Sequence, residues 1–195
     1  KLAAEAMSKL GMDELSKGGW LPWNTQMVYA RLVDAMRRQD PADILRLSGD
    51  LSHYVADAHI PLHTTENYDG KSTGDTGVHA RFESRLVEQF PELLVFEPRP
   101  ASLIFDVPAR LWAIVLSSSM SVSAVLKGDR QNPYENMAAD GYSVVQARAT
   151  HGPLAARRMN DSAFEVASFW YTAWVESGRP KLPAIDFSTA VTTVI

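Results

Sequence analysis

The sequence contains no cysteine. That excludes disulfides, cysteine-ligated zinc and a thiol nucleophile. It leaves the compartment open, since a reducing cytosol and a bacterial exterior both tolerate its absence. No run of about 18 consecutive apolar residues occurs, so no membrane-spanning helix is predicted. The start lacks the basic stretch and apolar run of a signal peptide. Charge of one sign is not in excess: 19 Lys and Arg against 23 Asp and Glu give a formal net charge of −4. Such a balance creates no global field for nucleic acid or anionic lipid. It implies no stable nucleic-acid or membrane partner, while a local site can still bind phosphate. Period-2 runs, internal repeats and low-complexity tracts are also missing.

What is present is a helical pattern on a globular composition. With 195 residues, 46% hydrophobic and 9% aromatic, the chain is long enough to bury a core. It reads as one compact all-α, multi-helix domain spanning 1–195. A weak helix is expected over 2–16, then breaks at Gly18, Gly19 and Pro22, with Trp20 and Trp23 as anchors. Asn24 is expected to cap a helix with the stripe Val28, Leu32, Ala35 and Met36. Asp40-Pro41 signals the start of the next, which carries Ile44, Leu47, Leu51, Tyr54 and Ala58 and ends before Pro61. A polar loop over 64–77 precedes a helix with Val78, Phe82, Leu86 and Phe90. Further helices are expected over 108–127, within 133–150 and over 154–177. Gly152 and Pro153 are read as an interruption. The aromatic stripe from Phe164 to Trp174 is read as core, and an extended tail follows.

The histidines carry the chemical signal. Three of the five lie in HYVADAHIPLH and a fourth in HARFE. His53 and Asp57 are four apart on a predicted helix, so both project from one face. His79 and Glu83 repeat that spacing on the next. His63 follows the helix-breaking Pro61 at the mouth of the loop. Two such pairs with a histidine between them can wrap a metal, and imidazole and carboxylate are what zinc accepts without cysteine. Other metal patterns are absent: no Glu-x-x-His, no His-Glu-x-x-His and no adjacent His-Asp.

These segments resemble a known superfamily. HYVADAHIPLH, an Asn-containing loop and VHARFE are similar to the zinc-dependent phospholipase C and fungal single-strand nuclease superfamily. The run from GWLPWNTQ to TTENYDG, and FWYTAWVESGRP, look like its bacterial phospholipase C-like or nuclease-like branch. The resemblance covers residues 18–90 well and 160–180 moderately. It implies an all-α phosphoester hydrolase with up to three zinc ions, acting on phospholipid head groups, nucleotides or nucleic acids. His63, His79 and Glu83 would form one complete three-ligand site. His53 and Asp57 would serve a second zinc, with Asp57 bridging to a third. Zinc would generate hydroxide from bound water near neutral pH. A secreted or periplasmic location is implied by the resemblance alone.

The departure from that pattern is specific. In the superfamily an amino-terminal Trp, a His, an Asp and another His precede the first matched pair, whereas no histidine precedes His53 here. Either an amino-terminal segment is missing, as the capless helical start at Lys1 suggests, or this is a divergent member binding fewer metals. The general base, which the superfamily takes from the missing Asp, stays unassigned. The alternative to an enzyme is an inactive or single-metal helical scaffold. Among the remaining groups, His59 is expected to hold a structural hydrogen bond and His151 to sit at a helix end. Asp50 is read as a solvated residue able to orient His53, and Asn67 and Tyr68 as loop residues able to rim a pocket. Arg157 and Arg158 are read as a solvated pair, and Asn160-Asp161-Ser162 as a chance glycosylation pattern.

Overall fold

The computed structural model describes residues 19–93, 95–131, 148–149 and 151–183. The expected helix over 2–16, nearly all of 133–150 and most of the tail lie outside these residues. The described part is helical, with no strand among the described residues, in agreement with the all-α reading.

Helix α1 (Leu21–Arg38) starts earlier than expected. Pro22 lies in its first turn, where the missing N–H has no helical partner to lose. Asn24 is therefore inside the helix, and the cap position falls to Trp20, which makes no side-chain capping bond. Trp20 and Trp23 meet edge to face, and Trp23 does the same with Trp112. The helix ends at Gln39, whose left-handed φ of 56° lets its amide and that of Asp40 return to Met36 and Ala35 carbonyls. Asp40 then caps α2 (Pro41–His59), its Oδ1 accepting the Ala42 and Asp43 amides at 3.1 Å each, as expected. Pro41 starts the helix and Pro61 follows its end.

Residues 78–89 form α3. It runs from an α-turn at Val78–Ala80 through a wider π-turn at Arg81–Arg85 to a last α-turn at Leu86–Gln89. The single helix expected over 108–127 is two, α4 (Val107–Ser119) and α5 (Val122–Gln131), broken at Met120 and Ser121. Over 107–129 the chain is long and apolar enough to cross a membrane by length and composition, with a mean hydropathy of 1.5 in an 18-residue window. Scattered serines interrupt it, so no unbroken apolar run of that length occurs there. Helix α6 (Gly152–Glu176) begins at Gly152 and Pro153 rather than being interrupted there, with His151 at its cap position.

Two apolar clusters result. The larger joins α1, α2, α4 and α6 through residues such as Leu32, Leu47, Leu51, Val55, Leu111 and Phe169. Burying each such side chain is worth roughly 1.5–3 kcal/mol. The smaller joins Leu62 and α3 to α5 and the start of α6, through Val78, Phe82, Leu86, Val125 and Leu154. The aromatic stripe of α6 is core only in part: Phe169 is fully buried, whereas Trp170 and Tyr171 are exposed.

The end of α2 lies between the clusters and is held by side chains. Ser118 Oγ donates to the Ala58 carbonyl at 2.6 Å, and Arg158 Nε donates to the His59 carbonyl at 2.9 Å. Arg158 also donates to Ser118 Oγ. These bonds satisfy carbonyls that a helix end leaves without partners. They also correct the expectation for Arg158, which is buried, while Arg157 is exposed. Asn160 is likewise occupied, accepting the Glu97 amide and donating to the Val95 carbonyl, and so ties the 95–99 segment to α6.

His59 has the expected structural role: its Nδ1 donates to the Val55 carbonyl at 2.7 Å. Burial pushes its pKa down to about 4, from ~6.5 in an unfolded chain. Burial lowers His151 as well. Between the two His59 values the unfolded chain binds the extra proton. The stability is therefore complete above pH 6.5 and declines as pH falls toward 4, by about 3 kcal/mol from His59 alone. Urea denaturation of chelator-treated protein at pH 7 and pH 4.5 should show this loss. His59→Gln, which has no titrating ring, should flatten the dependence.

Candidate metal centre

Four of the five candidate ligands, all but His53, stand next to a buried apolar residue. Asp57 precedes Ala58, His63 follows Leu62, His79 follows Val78 and Glu83 follows Phe82, and all four neighbours are at most 2% exposed. Those anchors drive into the two clusters and turn the polar neighbour toward a shared outer space. Val78 and Phe82, four apart, fix the inner side of α3. His79 and Glu83, also four apart, are then fixed on another side of it.

Three side-chain atoms converge there. His63 Nε2 and His79 Nε2 are 3.0 Å apart. Glu83 Oε2 lies 2.6 Å from His79 Nε2 and 3.5 Å from His63 Nε2. Tetrahedral zinc with ligand bonds of ~2.0–2.1 Å holds its donor atoms about 3.3 Å apart. The three atoms converge on one point, and the 2.6 Å His79–Glu83 contact would have to open by about 0.7 Å to span a tetrahedral zinc; they form a His/Glu group that could hold a metal among the described residues. Neutral imidazoles and a carboxylate bring more lone pairs to this point than protons to share, so a cation suits the donor set.

The electrostatics agree with the geometry. Hydrogen bonding to the Glu83 carboxylate raises the His63 pKa against the opposing effect of burial, and Asp57 adds to the rise. Hydrogen bonding to His63 holds Glu83 below the usual carboxylate range, again against burial. In the metal-free chain this pairing stabilises the fold while Glu83 is ionised and His63 protonated. It fades as pH rises through the elevated His63 value.

His53 and Asp57 share a face of α2 as expected, with His53 Nε2 3.4 Å from Asp57 Oδ2. They lie outside the three-residue cluster. Asp57 Oδ1 is 3.8 Å from His63 Nδ1, on the opposite edge of that ring from the convergence point. The His53 side chain is 71% exposed. Asp50 does not reach it, since its carboxylate accepts from Arg46 at 3.1 Å. Tyr68 does reach the site, its ring edge-on to His79 at 5.7 Å between centroids. Asn67 instead closes the loop on itself, accepting the Ser72 amide and donating to Thr73.

Sequence reasoning did not single out Arg81 and Asp129, on which the position of His79 depends. Arg81 Nε and Nη2 donate to the two Asp129 oxygens at 3.0 and 2.6 Å. Its Nη1 and Nη2 also donate to the Thr76 and Asp75 carbonyls. One buried guanidinium therefore pins both α3 and the end of the polar loop to α5. The loop is shaped to admit it: Gly77 has φ of +89°, and a Cβ there would stand 2.7 Å from Arg81 Nη1. The only available sequence signal was an arginine beside a core phenylalanine in HARFE, and nothing local pointed to a partner at position 129.

A pocket of about 320 Å³ opens beside the cluster, between the end of α2, α3 and α6. Ala56, Ile60, Phe82, Val87 and Met159 contribute to its wall, and Glu83 is shared with the three-ligand group.

Asp129→Ala leaves the Arg81 charge buried without its carboxylate and should cost about 3–5 kcal/mol, read from urea denaturation. At a temperature where the variant is still folded, the His79 ring resonances should broaden or shift more than those of His59. Unchanged stability would show that the ion pair does not hold this region. Comparison of the chain with protein-family models, curated proteins and solved structures finds no match.

Proposed function

We propose that this chain is a metal-dependent phosphoester hydrolase, with zinc held by His63, His79 and Glu83. One observation carries the reading. Three ligand atoms converge at 2.6–3.5 Å on partly exposed side chains, which are 22%, 26% and 38% accessible. Structural zinc sites take four protein ligands, whereas catalytic ones take three and keep a position open. The motif resemblance of HYVADAHIPLH and VHARFE supports the same chemistry, a phospholipase C-like or nuclease-like phosphodiesterase. A zinc ion held there would act as a Lewis acid toward a phosphoryl oxygen and lower the pKa of a coordinated water. The chain's own part is to orient the ligands. Asp57 faces the far nitrogen of His63, as carboxylates commonly do behind metal-binding histidines. Recruitment of His53 and Asp57 to a second or third ion, with Asp57 as a bridge, belongs to the same proposal.

The exposure of His53 favours a second reading, in which one ion is bound and the domain is a scaffold without turnover. Metal content separates the two. Protein purified without chelator should contain at least one zinc per chain and hydrolyse bis(4-nitrophenyl) phosphate. His63→Ala should lose most of that zinc and lower the Tm by several degrees. One zinc with no turnover supports the scaffold. Absence of zinc or any comparable metal removes both readings.

Proton linkage supplies a further check. His63 is held above its ordinary pKa, so metal binding must displace its proton when the pH is below that value. Zinc affinity should fall with acidification, and proton release on binding should be greater at pH 6 than at pH 8.5. Calorimetric titration in two buffers of different ionisation enthalpy measures both.

A further inference from the structure

We propose that the pocket beside Glu83 binds the non-phosphate part of the substrate, and that this part is an apolar group carrying a hydrogen-bond donor. The inference rests on the phosphoester-hydrolase reading and adds a substrate class to it. Glu83 belongs both to the pocket wall and to the three-ligand cluster, so a molecule reacting at the cluster has this pocket within reach.

The chemistry of the wall selects the occupant. Apart from Ser162, the polar residues lining it are His59, Glu83 and Arg158. Arg158 directs three of its five N–H groups at the protein. Its Nε donates to the His59 carbonyl, its Nη2 to Ser118 Oγ and its Nη1 to Ser117 Oγ at 3.4 Å. The rest is aliphatic or aromatic, which suits an apolar group. His59 adds one directional feature. The residue is 2% exposed, and its Nδ1 is committed as donor to the Val55 carbonyl. In that tautomer Nε2 carries the lone pair, and it has no hydrogen-bond partner among the described residues. An acceptor without a partner is unfavourable in an apolar wall. A hydroxyl or ring N–H on the ligand would satisfy it, and an ether of the same size would not.

The test uses the full 195-residue chain with two probes, 2-naphthol and 2-methoxynaphthalene, which differ in the donor. Binding is followed by NMR titration, with zinc and after chelator treatment. Naphthol should bind saturably at one site, at least tenfold more tightly than its methyl ether. Ala163→Trp places bulk in the wall from an exposed position on α6. It should weaken naphthol at least tenfold while zinc content stays unchanged. His59→Phe should bring the two probes to equal affinity. If that variant does not fold, Ala163→Trp and the wild-type comparison still decide. In the zinc-loaded chain naphthol should raise KM for bis(4-nitrophenyl) phosphate without lowering kcat. Equal binding of the two probes, an unaffected Ala163→Trp variant or non-competitive inhibition would each overturn the assignment. Failure of the hydrolase reading is seen separately, as missing zinc or missing turnover in a chain that still discriminates the probes.

Discussion

One buried cation organises the polar side of this molecule. Arg81 is enclosed between α3, α5 and the loop that follows His63, and its cost of desolvation is large. The structure offsets that cost with both oxygens of Asp129 and with two loop carbonyls. These acceptors come from two separate stretches of chain, the loop and α5, so satisfying one side chain of α3 fixes three elements relative to each other. His79 and Glu83 lie two residues to either side of Arg81. Their directions are consequences of where the guanidinium must point, and the loop glycine at 77 is a consequence of the room it needs. A pair that is only modest as a source of net stability can still dictate geometry, because leaving either member unpaired is costly.

The parts of this arrangement that could be read from the sequence are those set by local rules. Asp40-Pro41 starts a helix because a carboxylate can cap it and a proline fits its first turn. The i,i+4 pairs share faces because a helix repeats every 3.6 residues. The pairing of His79 with Glu83 was legible for the same reason, whereas the grouping of His63 with them was implied by the motif resemblance and not by helical spacing. What escaped the reading depends on distant partners or on small backbone departures. Arg158 looked like half of a solvated pair until its bonds to the end of α2 are seen, 99 residues away in the case of the His59 carbonyl. The break at Met120 and Ser121 follows no proline or glycine. The earlier start of α1 reflects a proline that serves as a first-turn residue as readily as a breaker. The π-turn at Arg81–Arg85 has no composition signature, although such turns concentrate at functional sites.

The two apolar clusters explain why the ligands meet where they do. The end of α2 belongs to the larger cluster through Val55 and Ala58, while Leu62, Val78 and Phe82 belong to the smaller. The seam between them is the place where chain leaves one core and enters the other. A residue beside each anchor cannot enter either core, so it is delivered to the seam. Polar side chains at a seam face one another, and here they are two imidazoles and a carboxylate.

Whether such a cluster is built to hold a metal permanently or to use it depends on what surrounds it. A site meant only for cross-linking gains from a fourth protein ligand and from burial that excludes exchange. This cluster has three close ligand atoms, and each of the side chains is between a fifth and two-fifths accessible. Glu83 also borders an apolar pocket rather than a packed wall. An apolar border strengthens the attraction between the carboxylate and a cation, since low polarisability nearby reduces screening. The open side does the opposite, keeping a coordination position available to water or to a phosphoryl oxygen. For a zinc ion held as proposed, the combination would give attraction from one side and access from the other, which fits the hydrolase proposal better than a site that only braces the fold.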